Sequence, residues 1–365
     1  MRIKGDSRMS VFTYINKYLG WRNWAVLTYN SVAENMFAFF YIALIQRTDF
    51  FHFISDFFVF FLFSILCTSY GFLINDLGDR ELDRLHGKAN TFSDDSHVKA
   101  LLIVLLFLGM SIPLGLYFIN RYFFLLLWIV WIFIGTAYSI KPFRLKERGK
   151  TGLLLVVMAQ RVIPALMIFS AFDFFAQYEF IALTIYIFFR GFSSDVNHQV
   201  QDYDNDVKTS TETFAVQTGS SKARVVLRVS LEIEKVMLLA CLIIFYFRLR
   251  EVRFHDLSAI MLLPAGYLIL YLIHFIKIIK KPSIDVNPFT VDGNNIFQFI
   301  HHTFPTIIVA FYLLCMLVYL DWRYLLLLFP FMIYRGFFSA SRIRNSYPVR
   351  MFFSLFKKSG IFINE

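Results

Sequence analysis

Cysteine is scarce in this chain, with 3 among 365 residues. Cys67, Cys241 and Cys315 all lie within apolar runs, their number is odd, and no CxxC pair occurs. These features argue against a disulfide framework and against a zinc site. The first residues also lack the apolar core and small-residue cleavage site of a secretory signal peptide. We therefore expect no disulfide framework, no zinc site and no cleaved signal peptide.

Charged residues are also few, at 17%, whereas 58% of the residues are hydrophobic and the mean hydropathy is +0.58. Soluble domains are usually about 45–50% apolar, so the composition predicts a polytopic membrane protein. The 46 Phe residues suit a surface that faces lipid or a lipid-like substrate. The net charge of +10 would fit a nucleic-acid partner, but an excess of Lys and Arg in cytoplasmic loops explains it in a membrane protein. We expect membrane lipids and no nucleic acid as partners.

Long apolar runs predict an all-α fold with about nine transmembrane helices, since about 20 apolar residues cross the hydrocarbon core. The candidate spans are roughly 25–46, 52–74, 99–119, 121–140, 152–172, 177–197, 231–248, 257–279 and 300–320. An apolar run at 324–334 is short, and would be re-entrant or a tilted tenth span that extends past Arg335. Residues 1–22 are expected to form a basic lead-in on the membrane surface, and 321–365 a short apolar segment with a basic tail.

The loops between these spans alternate in charge. Three loops are basic, namely those after spans two, four and six, and they carry Arg80, Arg84, Lys88, Lys99, Lys141, Arg144, Lys146, Arg148, Lys150, Lys208, Lys222, Arg224 and Arg228. The opposite loops carry Arg47, Arg121 and, between spans five and six, no Lys or Arg. The positive-inside rule therefore places the N-terminus and the three basic loops in the cytoplasm. A multi-pass protein of a bacterial-type inner or plasma membrane is expected. The basic tail also favours the cytoplasm, which an even number of spans would satisfy.

Two spans end in acidic stripes on this predicted side. Asn75, Asp79 and Asp83 are spaced i, i+4, i+8 and share one face if span two continues as a helix. Span six ends in "HQVQDYDND", where His198, Asp202 and Asp206 repeat that spacing. One such stripe is often a solvated helix end, and acids there oppose the helix dipole. Two stripes in the same register, with a basic loop between them in sequence, favour a shared site.

Four carboxylates together would repel each other and need cations. Oxygen ligands select Mg²⁺, which is often shared between one or two carboxylates and substrate phosphates. A diphosphate is therefore the expected ligand. Lys141, Arg144 and Lys208 are cations suited to its phosphate oxygens.

These segments resemble three motifs of the UbiA-type superfamily of intramembrane prenyltransferases. Asn75-Asp76-x-x-Asp79-x-x-x-Asp83 matches the first aspartate-rich motif, and Tyr138-x-x-Lys141 with Pro142 and Arg144 is similar to the YxxK loop. The second aspartate-rich motif is matched by Asp202-x-x-x-Asp206, followed by Lys208, Thr213 and Gly219. The resemblance extends from about residue 20 to 320, so we treat 23–320 as the prenyltransferase bundle.

The resemblance implies helices around a central cavity, Mg²⁺ as the cofactor, and transfer of a prenyl group from a prenyl diphosphate to a hydrophobic, aromatic or lipid-like acceptor. We assign Asp79, Asp83, Asp202 and Asp206 to the metal. The diphosphate is assigned to Asn75, Lys141, Arg144 and Lys208. Tyr138 and His198 are the candidate catalytic residues. Tyr138 would stabilise the prenyl cation through its π face or hydrogen-bond near the acceptor.

His198 departs from the family pattern, which commonly has Asp or Asn there. Imidazole suits Zn, Cu or Fe better than Mg²⁺. His198 would therefore donate to the diphosphate, act as a base toward the acceptor, or be a hydrogen-bonded helix-end histidine.

Further ionisable residues lie in predicted spans. Arg161 and Arg190 would contact phosphate or acceptor, or form structural ion pairs for which Glu34 is one partner. Adjacent His301 and His302 point in different directions on a helix, so a structural role at the interface is favoured over a metal site.

Two other functions fit parts of the pattern. A UbiA-type terpene cyclase would keep the same site but need no acceptor. A membrane transporter would relay cations through carboxylates, although transport sites usually lie near the bilayer midplane. The sequence does not identify the acceptor or the prenyl length.

Overall fold

The structure is a computed structural model. It describes residues 10–28, 30–85, 87–252, 258–281, 287–289 and 295–358. Residues 1–9 of the expected lead-in and 359–365 of the tail lie outside the described residues. In the described ranges the chain is helical and has no strand, which confirms the predicted all-α class.

The first half of the described chain forms nine α-helices, and the last five of them cover predicted spans two to five. The nine helices are α1 Val11–Tyr18, α2 Trp21–Thr28, α3 Ser31–Glu34, α4 Met36–Gln46, α5 Phe50–Leu85, α6 His97–Leu116, α7 Phe124–Ser139, α8 Gly149–Val157 and α9 Ile163–Ala171. A 3₁₀ turn at Leu145–Glu147 precedes α8, and a π-turn at Met158–Val162 joins α8 to α9.

The second half continues with α10 Glu179–Gln201, α11 Tyr203–Lys208, α12 Phe214–Thr218, α13 Ser220–Val252, α14 Leu262–Lys280, α15 Ile296–Gln298, α16 Ala310–Leu320, α17 Leu325–Arg335, α18 Ala340–Asn345 and α19 Tyr347–Lys358. Two 3₁₀ turns, Ser258–Met261 and Trp322–Tyr324, precede α14 and α17. A π-helix, Phe299–Val309, joins α15 to α16.

Five helical stretches of the described chain are long and apolar enough to cross a membrane. They are Phe50–Leu85, His97–Leu116, Gly149–Ala171, Ala259–Lys280 and Ile296–Leu320, and Met36–Gln46 and Phe124–Ser139 are shorter apolar helices. These helices are those of an integral membrane protein, while the count of nine spans stays a prediction. The first predicted span is divided among α2, α3 and α4. The run at 324–334 forms α17, which ends at Arg335 with Gly336 in the left-handed conformation and so does not extend as a longer tilted span.

The chain folds into two compact units. Unit one comprises Met1–Glu34, Ser55–Ala176 and Gln201–Ser220, and unit two comprises Asn35–Ile54, Gln177–Val200 and Ser221–Glu365. Helix α5 therefore begins in unit two and runs mostly through unit one.

The core of unit one is aromatic around α5 and α7. Phe63 lies 5.5 Å from Phe124 and 5.3 Å from Trp128, measured between ring centroids. Phe118, in the turn after α6, lies 5.1 Å from Phe124. Phe63, Phe118 and Phe124 are fully buried. This packing fixes α7 against the length of α5.

Arg161 forms an ion pair with Glu34 in unit one, which is one of the two roles that the sequence left open. Arg161 lies in the π-turn that precedes Pro164, and a proline disturbs the helical hydrogen bonds just before it. The carbonyl of Ala159 in this turn accepts a 2.7 Å hydrogen bond from the Trp131 indole. The pair supports the structural interpretation of Arg161.

Unit two packs α4 against α16, and Tyr41 of α4 stacks on Phe245 with ring centroids 3.7 Å apart. Its interior also holds buried charge. His301 Nδ1 lies 2.7 Å from Glu234 Oε1, and Ser193 Oγ donates to Glu234 Oε2 at 2.7 Å. Arg190 is buried in the same unit and its charge acts on Glu234. His301 is thus a buried partner of a carboxylate, with only 4% of it exposed, which supports a structural role.

Candidate active site

The first acidic stripe lies on one continuous helix. Helix α5 runs unbroken to Leu85, so Asn75, Asp79 and Asp83 share a face as their spacing requires. Asn75 is half-buried, and its Oδ1 accepts from Ser139 Oγ and from Lys146 Nζ, both at 3.3 Å. These contacts join the end of α5 to the end of α7 and to the basic loop that follows.

Gly78 permits this close approach of α5 and α7. A Cβ at position 78 would lie 2.5 Å from the main-chain oxygen of Ser139, which is too close for any side chain. The absence of a side chain therefore lets the Ser139 hydroxyl contact Asn75.

Two cations converge on Asp79. Arg144 Nη2 lies 3.0 Å from Asp79 Oδ1, and Lys146 Nζ contacts both oxygens of the same carboxylate. Arg144 Nη1 also donates to the carbonyl of Gly78 at 2.9 Å. The side chains of Arg144, Asp79 and Lys146 are 11%, 15% and 16% exposed, so these charges are screened less than surface pairs. Glu147 also pairs with Arg144, so both cations contact carboxylates and an anionic ligand would have to replace some of these contacts.

Burial and neighbouring charges shift the pKa values of both basic groups. Burial lowers the pKa of Arg144, but the carboxylates of Glu147 and Asp79 outweigh it and the pKa lies above its usual value. Burial dominates at Lys146 and lowers its pKa, while Asp79 opposes this shift. Lys146 was not assigned to the site from sequence, although it lies in the basic loop. Its placement depends on the left-handed conformation of Arg144 and the 3₁₀ turn after it, which the residue types do not signal.

Asp83 and Asp76 contact the segment after α5. Asn90 Nδ2 donates to Asp83 Oδ2 and to the carbonyl of Asp76, both at 2.8 Å. The Thr91 amide donates to Asp76 Oδ2 at 3.1 Å, and Asp76 is buried. Asp76 therefore holds the segment that follows α5, whereas Asp83 is half-exposed on the face shared with Asp79.

The second acidic stripe is not one helix, and this corrects the sequence interpretation. Helix α10 ends at Gln201, and Asp202 has φ −85° and ψ 0°, outside helical geometry. Asp206 lies on the separate short helix α11, where its Oδ2 accepts from Thr213 Oγ1 at 3.0 Å. Asp202 and Asp206 are half-buried and belong to unit one, with Lys208 exposed beside them. His198 belongs to unit two and is exposed, so it is not aligned with the two aspartates along one helix.

The remaining predicted residues flank the basic loop. Tyr138 is half-buried near the end of α7, and Lys141 is exposed beyond that end. The loop itself adjoins the second acidic segment, because the Gly149 amide donates to the carbonyl of Glu212 at 2.7 Å. Unit one therefore contains both aspartate pairs and the three basic residues first assigned to phosphate.

The described residues contain no group of three or more His, Cys, Asp or Glu side chains placed to hold a metal ion. The donor set nevertheless suits Mg²⁺, since Asp79, Asp83, Asp202 and Asp206 offer carboxylate oxygens. In this arrangement Arg144 and Lys146 satisfy the oxygens of Asp79.

Comparison with known proteins gives a family and a fold. The UbiA prenyltransferase family matches residues 35–289. A UbiA homolog from Archaeoglobus fulgidus bound to GPP and Mg²⁺ is 20% identical with a TM-score of 0.53, over 81% of this chain and 99% of that chain. The same homolog bound to DMAPP and Mg²⁺ is 19% identical with a TM-score of 0.52, over 81% and 98%.

A third structure, described as giving insights into digeranylgeranylglyceryl phosphate synthase in membranes, is 14% identical with a TM-score of 0.50, over 81% and 97%. At these identities the similarity concerns the fold. No curated protein matches the chain.

Proposed function

Because this chain belongs to the UbiA prenyltransferase family, we propose that it is an intramembrane, Mg²⁺-dependent prenyltransferase. It transfers a prenyl group from a prenyl diphosphate to a hydrophobic acceptor and releases diphosphate. The observation that carries the proposal is the convergence of Arg144 and Lys146 on Asp79, beside Asn75. Structures of the same fold hold GPP or DMAPP with Mg²⁺, which supports a prenyl diphosphate as donor.

The basic loop would bind the leaving group. Cleavage of an allylic C–O bond separates a diphosphate anion from a carbocation, so charge grows on the phosphate oxygens. Arg144 offers a planar fork and Lys146 a point charge to such oxygens. Both are half-buried, which strengthens their interaction with an anion. We add Lys146 to the diphosphate set of Asn75, Lys141, Arg144 and Lys208.

The carboxylates would hold the metal. Asp79, Asp83, Asp202 and Asp206 supply oxygen ligands, and bound Mg²⁺ would neutralise charge that develops on the diphosphate. The site needs basic residues that contact the diphosphate and carboxylates that contact Mg²⁺. Neither group of residues alone would balance the charges of a diphosphate–metal complex. On binding, Arg144 and Lys146 would transfer their hydrogen bonds from Asp79 to phosphate oxygens.

Tyr138 and His198 are proposed to act on the organic part of the reaction. The Tyr138 ring would stabilise the carbocation through its π face, and His198 would serve the acceptor as a base. A His198→Asn variant should then keep diphosphate binding and lose transfer. Loss of diphosphate binding would instead assign His198 to the leaving group.

Product analysis tests the function directly. Purified protein is incubated with Mg²⁺, a ladder of prenyl diphosphates and pooled aromatic and lipid-like acceptors, and the products are read by mass spectrometry. Prenylated product that requires both substrates supports the proposal. Turnover of a prenyl diphosphate without acceptor would identify a cyclase, and absence of Mg²⁺-dependent binding of any prenyl diphosphate would favour a transporter.

Substitution of single carboxylates tests the metal assignment. Asp79→Asn and Asp202→Asn should abolish turnover while the protein stays folded. Asp94→Asn and Asp204→Asn are matched controls, because both residues are exposed acids close in sequence to the site. These controls should keep near-normal turnover. Full activity in Asp79→Asn or Asp202→Asn would contradict the assignment of that residue.

A further inference from the structure

The basic loop and the second acidic segment meet at a short junction in unit one. The Gly149 amide donates to the Glu212 carbonyl at 2.7 Å, and Gly149 pairs with Thr213 as an isolated parallel bridge. Helix α8, which starts at Gly149, also packs against α12, which starts at Phe214. Lys146 lies shortly before Gly149 in the sequence, and Asp206 lies shortly before Thr213.

Thr213 makes two contacts through one hydroxyl group. Its Oγ1 donates to Asp206 Oδ2 at 3.0 Å and accepts from the Val216 amide at 3.5 Å, where Thr213 is the N-cap of α12. The same residue therefore begins α12, forms the bridge to Gly149, and orients a carboxylate assigned to the metal. The amide of Thr211 additionally donates to the Asp206 carbonyl at 2.9 Å.

Gly149 is required at its position for two reasons. Its φ of +51° lies in the left-handed region that favours glycine. A Cβ at this position would overlap the side-chain amide of Gln217 in α12. A side chain at 149 would therefore displace the Gln217 side chain from the junction, in addition to straining the backbone.

We propose that Gly149 and Thr213 are positioning residues that set the second aspartate pair in register with the basic loop. The junction links Arg144 and Lys146, which contact Asp79, to the segment that carries Asp206. Its loss would misalign the metal ligands with the phosphate ligands without removing any of them. This inference rests on the proposed function, because it concerns the same metal–diphosphate site.

The first test compares two substitutions of Thr213 in the full-length protein. Affinity for Mg²⁺ is measured in the presence of inorganic pyrophosphate. Thr213→Val removes the hydroxyl and should weaken Mg²⁺ binding by about tenfold or more, as is typical when a residue that orients a metal ligand is changed. Thr213→Ser keeps the hydroxyl and should stay within about twofold of the original protein. Thr209→Val is the matched control, because the Thr209 hydroxyl bonds to the main-chain carbonyls of Asn205 and Asp206 and to the Thr211 hydroxyl rather than to a carboxylate.

The second test separates overlap from backbone strain at Gly149. Gly149→Ala should weaken Mg²⁺ and pyrophosphate binding, and adding Gln217→Ala should restore part of it by making room. Gly87→Ala is the control, since its φ of +64° is similar and nothing lies within 4 Å of the position a Cβ would take. Comparison of Gly149→Ala with the Gly149→Ala/Gln217→Ala double variant tests the positioning role even if Thr213→Val does not fold.

Thermal unfolding midpoints are recorded for every variant, because a purely structural role would change stability and leave the metal affinity of the folded fraction unchanged. Mg²⁺ affinity that is equal in Thr213→Val and the original protein would overturn the inference, as would equal losses in Thr213→Ser and Thr213→Val. If the original protein itself binds no pyrophosphate with Mg²⁺, the proposed function fails and the inference fails with it.

Discussion

Asp79 receives both half-buried cations of the basic loop, and this makes Lys146 a stronger candidate for phosphate binding than Lys141. Lys146 contacts Asp79 and Asn75, whereas Lys141 is exposed beyond α7. Lys146→Met should therefore lower pyrophosphate affinity by about 10- to 100-fold, the usual worth of a hydrogen bond to a charged group. Lys141→Met is the matched control and should lower it much less. Titration calorimetry with Mg²⁺ present measures both, and an equal loss in the two variants would contradict the ranking.

Residue types near the site were predictable from sequence, but some residue positions were not. The i, i+4, i+8 spacing correctly placed Asn75, Asp79 and Asp83 on one face because α5 contains no proline and runs unbroken to Leu85. Lys146 contacts Asp79 from a 3₁₀ turn that follows Arg144, and Arg144 adopts a left-handed φ of 36°. The sequence does not show in advance which non-glycine residue will adopt a positive φ. Its position follows from tertiary packing, which a single sequence does not display.

At the scale of elements, the break between α10 and α11 was likewise not predictable from the sequence. The segment "VQDYDND" contains neither proline nor glycine, so continuation of the helix through Asp202 was the natural expectation. Aspartate is a common N-cap residue, whose main-chain carbonyl accepts the first hydrogen bond of a new helix. Here Asp202 leaves the helical region and its carbonyl accepts from the amides of Asn205 and Asp206 at 2.9 Å. The first acidic stripe therefore lies on one helix, α5, whereas Asp202 and Asp206 lie after the end of α10, at the start of α11 and within it. The two stripes differ in structure although their residue spacing is equal.

Helix α1 is the element of the N-terminal lead-in that the structure describes, and one carboxylate anchors it. Asp95 is buried and accepts from Lys17 Nζ at 2.7 Å, Tyr18 OH at 3.0 Å and Lys99 Nζ at 2.6 Å. Its main-chain oxygen also accepts from Arg80, which directly follows Asp79 on α5. Val11 is 76% exposed at the other end of α1. The lead-in is therefore attached to unit one at its C-terminal end.

Protonation of Asp95 should release α1. Burial raises the pKa of Asp95, but the bonds from Lys17, Lys99 and Tyr18 outweigh this and hold the pKa below its usual 3.8. The ionised carboxylate thus contributes docking free energy that is fully present above pH 3.8 and is lost as the pH falls through the lowered pKa. We expect α1 to stay docked from pH 7 down to the usual carboxyl range and to detach only below it.

Anisotropy of a fluorophore on a Val11→Cys variant measures this release. Adding Asp95→Asn should lower the anisotropy already at pH 7, because a neutral amide cannot pair with two lysines. Asp94→Asn, the exposed neighbour, is the control and should behave like the parent. Detachment of α1 between pH 7 and 5 in the parent would contradict the anchoring role of an ionised Asp95.

At the scale of the whole molecule, two clusters of polar groups in unit one lie toward the two ends of α5. At one end, Asp56 accepts from Tyr117 at 2.7 Å and pairs with Arg121, which also contacts Asp173. At the other end, Asp79 meets the basic loop. Asp56 and Asp79 are separated by about 35 Å along the helix at 1.5 Å per residue. That distance matches a hydrocarbon core of about 30 Å, so the two polar ends would lie on opposite faces of the membrane.

The charge difference between these ends predicts which face is cytoplasmic. The loop at the Asp79 end carries Arg144, Lys146 and three further basic residues, whereas the turn at the Asp56 end carries Arg121, so the positive-inside rule assigns the basic loop to the cytoplasm. Cysteines placed at Tyr122 (67% exposed) and Phe143 (53% exposed) report on the two ends. A membrane-impermeant maleimide should label Tyr122→Cys in intact cells and Phe143→Cys only in inverted vesicles, with the parent chain giving the background of its three native cysteines. Labelling of Phe143→Cys from outside would reverse the orientation and place diphosphate binding on the external face.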